Sequence, residues 1–166
     1  MPNWCINFVD CTGRAEDIQA FKKVLEDGQE YIRTNQCATS LTLEDHEIED
    51  GYFFSIDITH ASETSLAFHY ETKWAPNLLD LAKLCAKYGL EMQCEYEECG
   101  MQIYGTAKID SDGSIDDEQI PENFLQLIEY DEETGVYSYQ GEEYDCENDA
   151  IESNYPKWKE QQLKIN

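Results

Sequence analysis

The chain has 166 residues, 36 acidic and 11 basic side chains, and a net charge of -25. That length suits one domain, or one domain with an extension. The charge excludes net attraction for nucleic-acid phosphates or anionic lipid, so neither DNA, RNA nor a membrane surface is an expected partner. No apolar run approaches the ~18 residues of a membrane span, and the polar start does not read as a secretion signal.

Leu, Ile, Val and Phe total 34 residues, close to the roughly 20% below which charged chains tend to be disordered. Eleven Tyr, three Trp and seven Cys add bulk, and the apolar residues fall into periodic segments, so a folded body is expected. An odd number of cysteines without a secretion signal points to free thiols in a reducing cytoplasm.

In chain order, Trp4 to Asp10 alternates, with Trp4, Ile6 and Phe8 on one side and Cys5, Asn7 and Val9 on the other. It reads as a strand with both faces largely covered. After Thr12-Gly13, a helix is predicted from Ala15 to Glu26, carrying Ile18, Phe21, Val24 and Leu25 on one face and ending at Asp27-Gly28. Glu16 and Asp17 suit its first turn. A short strand is expected at Ser40 to Leu43, an acidic turn at Asp45 to Gly51, and a stronger strand at Tyr52 to Thr59 with Phe54, Ile56 and Ile58 on one side. Ser65 to Thr72 is the next strand, with Leu66, Phe68 and Tyr70 opposite Ala67, His69 and Glu71.

Pro76 is expected to open a second helix with an apolar stripe of Leu78, Leu81, Ala82 and Cys85, stopped by Gly89. Glu91 to Glu97 reads as a strand with Met92, Cys94 and Tyr96 inward, paired with Gln102 to Ile109. Asp110 to Glu118 reads as a turn-rich acidic loop. Further on, Phe124 to Tyr130 and Val136 to Gln140 suggest a hairpin around Asp131 to Gly135, and Pro156 a final helix. The order predicts an α+β fold, a ferredoxin-like antiparallel sheet with helices on one face. The expected division is a body over residues 1–112 and an acidic C-terminal extension over residues 113–166, packed on the body.

Met1-Pro2-Asn3-Trp4-Cys5 with Asn7, then Phe68-His69-Tyr70-Glu71-Thr72-Lys73-Trp74-Ala75-Pro76, then Tyr96-Glu97-Glu98 and Gly100 resemble the YubB-type ferredoxin-like proteins of plasmids and phages, over roughly residues 1 to 105. The resemblance implies that fold, with no iron–sulfur cluster, and a mobile-element origin. It transfers no catalytic residue. Cys99 stands where the family carries proline.

Charge is the main candidate for function. From Glu91 to Ser153 there are 20 acidic side chains against the single base Lys108. In Glu91-Met92-Gln93-Cys94-Glu95-Tyr96-Glu97 three carboxylates share one strand face. Same-face neighbours on a strand lie about 6.8 Å apart, comparable with the phosphate spacing of DNA. Asp116, Asp117, Asp131, Glu132, Glu133, Glu142 and Glu143 are expected to extend that row. Tyr137, Tyr139 and Tyr144 stand among these acids and suit either an interface with a basic surface or the small core of the extension.

Other chemistries find little support. Placing Gly113 at the sixth position of an EF-hand loop puts Lys108 at the first and Gln119 at the twelfth, so the calcium motif fails. There is no C-x-x-C pair and no H-E-x-x-H, and His46, His60 and His69 are scattered, so no metal site is expected. No phosphate-binding or nucleophile-elbow glycine motif occurs. The expectation is a cytoplasmic, non-enzymatic protein without cofactor that mimics nucleic acid. Its partner would be the basic nucleic-acid-binding cleft of a defence nuclease or CRISPR effector. The alternative is a non-mimic interaction module acting through an aromatic patch.

Overall fold

A computed structural model describes residues 3–37, 39 and 52–165. The expected strand at 40–43 and the turn at 45–51 lie outside the described residues. The chain splits into two compact units, residues 1–119 and 120–166.

The first unit runs β1 (Trp4–Thr12), α1 (Ala15–Asn35), β2 (Phe54–Ala61), β3 (Ser65–Lys73), α2 (Leu78–Tyr88), β4 (Glu91–Glu98), β5 (Ile103–Ile109) and β6 (Ile115–Gln119). Its sheet has the order β2-β3-β1-β4-β5-β6, antiparallel throughout. The first four strands with two helices form the ferredoxin-like β-α-β-β-α-β arrangement, and the β5–β6 hairpin widens it beyond β4.

Alternation along the strands divides the two faces. Cys5, Val9 and Cys11 of β1, Leu66, Phe68 and Tyr70 of β3, and Met92, Cys94 and Tyr96 of β4 are buried together with Ile18, Phe21 and Leu25 of α1 and Leu81, Leu84 and Cys85 of α2. Phe21 meets Phe68 edge-on at 5.8 Å and Tyr88 at 5.5 Å. Asn7 is the polar member of this layer. Its Nδ2 donates to the Cys5 carbonyl at 3.1 Å and to Thr72 Oγ1 at 3.0 Å, which satisfies an amide that burial would otherwise penalise.

The structure corrects several expectations. Strand β1 is covered on one face only: Trp4 and Phe8 remain 40% and 47% exposed, because both helices belong to the other side. Helix α1 continues past Asp27-Gly28 to Asn35. Gly28 is itself buried on the apolar stripe, and Ile32 packs against the core one turn on. The helix ends where Gln36 adopts a left-handed conformation and donates to the Ile32 carbonyl. In β2 a register shift between Phe54 and Asp57, at the positive-φ Ser55, separates Phe54 from Ile56 and Ile58. Phe54 then lies edge-on against Trp4, at 5.0 Å.

Pro76 stands just ahead of α2, whose cap is Asn77. Tyr70 donates to Asn77 Oδ1 at 2.6 Å, and Gly89 closes the helix at φ 64. The acidic loop expected at 110–118 is a tight turn followed by a strand. Asp110 N–H bonds to the Ser114 carbonyl at 2.9 Å, and Ile115 opposite Ile109 begins β6. Ile115 packs against the core and anchors a strand whose acidic run hid its alternation. Gly105 is required in β5 because its cross-strand partner Tyr96 lies over it; an added β-carbon would strike the tyrosine ring and the Glu118 carbonyl.

The second unit contains α3 (Glu122–Leu125), β7 (Glu129–Asp131), β8 (Val136–Tyr139), β9 (Glu142–Tyr144) and α4 (Glu147–Ile165), with the three strands in that order in one sheet. The expected strand from Phe124 opens instead on the end of α3, followed by a turn. The amides of Phe124 and Leu125 bond back to the Pro121 carbonyl, which turns both side chains inward, and the strand begins only at Glu129. Phe124 is fully buried against Tyr139, Tyr155 and Trp158 at 5.7, 5.1 and 5.4 Å. The final helix starts at Glu147, not at Pro156, which lies inside it. Buried Ala150, Ile151 and Asn154 supply the turns ahead of the proline, and the ring contacts of Tyr155 and Trp158 hold the turns after it.

Candidate functional site: the open face of the sheet

The two helices of the first unit, α1 and α2, leave the other face of the six-stranded sheet uncovered by them, and the register fixes its occupants. Across the middle run Asp57, His69, Phe8, Glu95, Thr106 and Glu118, from β2 to β6. One row to one side are Phe54, Glu71, Ile6, Glu97 and Tyr104; Tyr104 is only 2% exposed, so the face is covered at that end of β5. To the other side are His60, Ala67, Asp10, Gln93, Lys108 and Asp116. Thr12 and Glu91 begin the next row, and Trp4 pairs with Lys73 at the far end. Eight carboxylates therefore share this face with two lysines. Neighbouring strands sit about 4.8 Å apart and same-face residues about 6.8 Å apart along a strand, so the acids form a two-dimensional array rather than a line.

The face has two characters. Toward β2, β3 and β1 it is aromatic: Trp4 against Phe54, Phe8 beside His69 at 6.1 Å, and the Lys73 ammonium over Phe54 at 5.3 Å. Toward β4, β5 and β6 it is acidic, with exposed Glu91, Glu95 and Asp116.

Of the residues singled out from sequence, Glu95, Glu97 and Asp116 come together here. Asp117 does not. It faces the helix-covered side and accepts a 2.8 Å hydrogen bond from the Tyr96 hydroxyl. Burial, then this bond, pushes the Tyr96 phenol well above its usual range. The remaining candidates belong to the second unit. Asp131 is a turn residue: its Oδ1 accepts from the amides of Glu133 at 2.8 Å and Thr134 at 3.2 Å. These bonds, Thr134 first, hold its carboxyl below the ordinary value. Glu132 and Glu133 are exposed on the same turn. Glu142 and Glu143 lie on β9, where Glu142 accepts from the Tyr144 hydroxyl at 2.9 Å.

Tyr139 is a core residue of that unit, 7% exposed. Tyr137 packs against Tyr130 with tilted rings 4.8 Å apart, and the Tyr144 hydroxyl accepts from the Asn154 amide at 2.8 Å. Two exposed aromatics of this face, Trp4 and Phe8, were missed from sequence, as were Asp10, Glu71 and Glu118. Their signal was present: two helices cover only one face of a sheet, so each strand's second set of alternating residues must face away from them.

Among the described residues no group of three or more His, Cys, Asp or Glu side chains converges as a metal site, and no helix is long and apolar enough to cross a membrane. Four thiols, Cys5, Cys11, Cys85 and Cys94, are buried, whereas Cys37, Cys99 and Cys146 are exposed. Burial pushes the Cys5 thiol up to about 11 and Cys85 to about 12, so these behave as small apolar core groups.

Fold and strand order define a ferredoxin-like α+β protein. A family model described as the ferredoxin-like domain in Api92-like protein matches residues 51–140, and the chain belongs to that family. The crystal structure of protein api92 from Yersinia pseudotuberculosis superposes with a TM-score of 0.52 at 9% identity, covering 73% of this chain and 99% of that one. At that identity the likeness speaks for the fold alone. No curated protein matches the sequence.

Proposed function

We propose that this chain is a binding protein whose open sheet face docks on a cationic protein surface in competition with nucleic acid. The observation that carries the reading is the register-fixed array of carboxylates on β4 and β6, Glu91, Glu95, Glu97, Asp116 and Glu118, on a rigid sheet. Carboxylates stand in for phosphates against Lys and Arg, with a fast, electrostatically steered approach that salt weakens. The target class is a bacterial defence nuclease or CRISPR effector, and the role is inhibition by occupying its DNA or RNA site. The opening Met1 to Cys5 motif supports a YubB-type, mobile-element origin, and seven free cysteines fit a cytoplasmic location.

The test is displacement of a labelled DNA duplex from protamine, an Arg-rich DNA-binding protein. The triple variant Glu91→Gln, Glu95→Gln, Asp116→Asn loses about tenfold in potency, at up to about 1 kcal/mol per exposed pair. The triple Glu132→Gln, Glu133→Gln, Glu143→Gln, equal in charge, loses less than about threefold, because it removes only screened long-range attraction and no docked pair. Equal losses would mean that total charge, not this face, does the binding.

A second reading draws on the exposed Trp4 and Phe8: a non-mimic module that binds through aromatic contact. It predicts loss of a partner on Trp4→Ala or Phe8→Ala with little DNA competition.

A further inference from the structure

We propose that the open face holds an arginine-selective anchor centred on Phe8, an inference that rests on the docking reading above. Phe8 is a half-exposed ring on a central strand, flanked on its β3 side by the His69 ring at 6.1 Å and open toward β4. Glu95 stands directly across from it on β4, and Glu97 is next on the same strand face, opposite Ile6. Directly opposed residues have Cβ atoms about 4.5–5.5 Å apart, so a planar group lying on the ring has its edge at the Glu95 carboxylate. On the same face Phe54 already carries a cation, the Lys73 ammonium at 5.3 Å. Among the described residues no lysine or arginine lies over Phe8.

The pairing of an open aromatic face with a carboxylate at its edge selects the occupant. A guanidinium stacks flat on the ring and still donates two parallel hydrogen bonds from its edge, whereas an ammonium is a compact, strongly hydrated point charge that gives up one contact to make the other. Charge complementarity points the same way: the eight carboxylates of this face outnumber its two lysines. The occupant is an arginine side chain of a protein partner.

Hexa-arginine and hexa-lysine peptides, titrated at one ionic strength against fluorescence anisotropy, test this. Wild type prefers the arginine peptide about 3- to 5-fold, the size of one exposed cation–π contact. In Phe8→Leu that ratio falls toward one with lysine-peptide affinity unchanged, while Tyr130→Leu, at a ring exposed on the second unit, keeps the wild-type ratio. A Phe8→Leu ratio equal to wild type overturns the anchor. If the Glu91→Gln, Glu95→Gln, Asp116→Asn triple still weakens both peptides in that case, the docking face survives without the anchor. If the triple weakens neither peptide, the docking reading falls and the anchor with it.

Discussion

On β1, Cys5, Asn7, Val9 and Cys11 are buried beneath the helices, while Phe8 and Asp10, on the same nine-residue strand, are exposed. On β4 the same alternation buries Met92, Cys94 and Tyr96 and exposes Glu91, Gln93 and Glu95. The helix-covered face obeys packing: large rings interlock, and the polar Asn7 finds partners at 3.1 and 3.0 Å. The other face carries a charge density that packing does not need. A protein gains nothing in stability from like charges on adjacent strands, which repel. Fold and proposed function thus divide by face rather than by segment in the first unit, and in the second unit Asp131 and Glu142 are tied into a turn and a hydroxyl contact.

Substitutions break or sharpen this comparison. The largest effect is expected at Phe21: Phe21→Ala leaves a cavity against Phe68 and Tyr88 and costs about 3–5 kcal/mol in urea unfolding. Gly105→Ala drives a β-carbon into Tyr96 and the Glu118 carbonyl and costs about 1–3 kcal/mol. Its neighbour Thr106→Ala, on the open face, costs less than about 1 kcal/mol. Asn7→Ala removes the buried amide that donates to both Thr72 Oγ1 and the Cys5 carbonyl, leaving the carbonyl the longer 3.5 Å bond from Thr72, and costs about 1–3 kcal/mol.

The thiols give a pH test. Cys5 and Cys85 are raised in the folded state, so the fold holds their protons while the unfolded chain releases them. Their contribution is complete below about pH 8.5 and is lost as pH rises through about 11 for Cys5 and about 12 for Cys85. Thermal melts at rising pH should therefore move down. Ellman's reagent at pH 8 should label three thiols quickly, Cys37, Cys99 and Cys146, and four only on unfolding. The smallest effect is expected at Phe8→Ala, within about 1 kcal/mol. A loss there as large as at Phe21 would show that the two faces are not distinct.

Where one apolar period ran uninterrupted, the sequence was legible. The strands at β3 and β4, helix α2 with its Gly89 stop, and the β4–β5 pairing all follow from alternation or a helical stripe. It failed where a residue's usual meaning was overridden by context. Gly28 reads as a helix stop but is buried within α1. Pro156 reads as a helix start but lies inside α4. The run of acids at 116–118 conceals a strand whose inward anchor is the single Ile115. Of the candidate site, Glu95 and Glu97 were recoverable from period-two spacing on β4, whereas Asp116 stood out only as one of a run of acids on a segment that reads as a loop. Asp117 was misplaced, because neighbouring acids in a strand take opposite faces. Phe8 and Trp4 were misread because an apolar residue on an alternating strand looks like core until the helices that would cover it are counted.

The central claim is that the carboxylate array on β4 and β6 is a docking face. Amide chemical-shift mapping with hexa-arginine at low salt tests it most directly. The account predicts that the largest shifts fall at Phe8, Glu91, Glu95, Asp116 and their neighbours, and vanish in the open-face triple variant. Shifts concentrated instead on the turn at residues 131–133 or along α1, and unchanged in that variant, would contradict it.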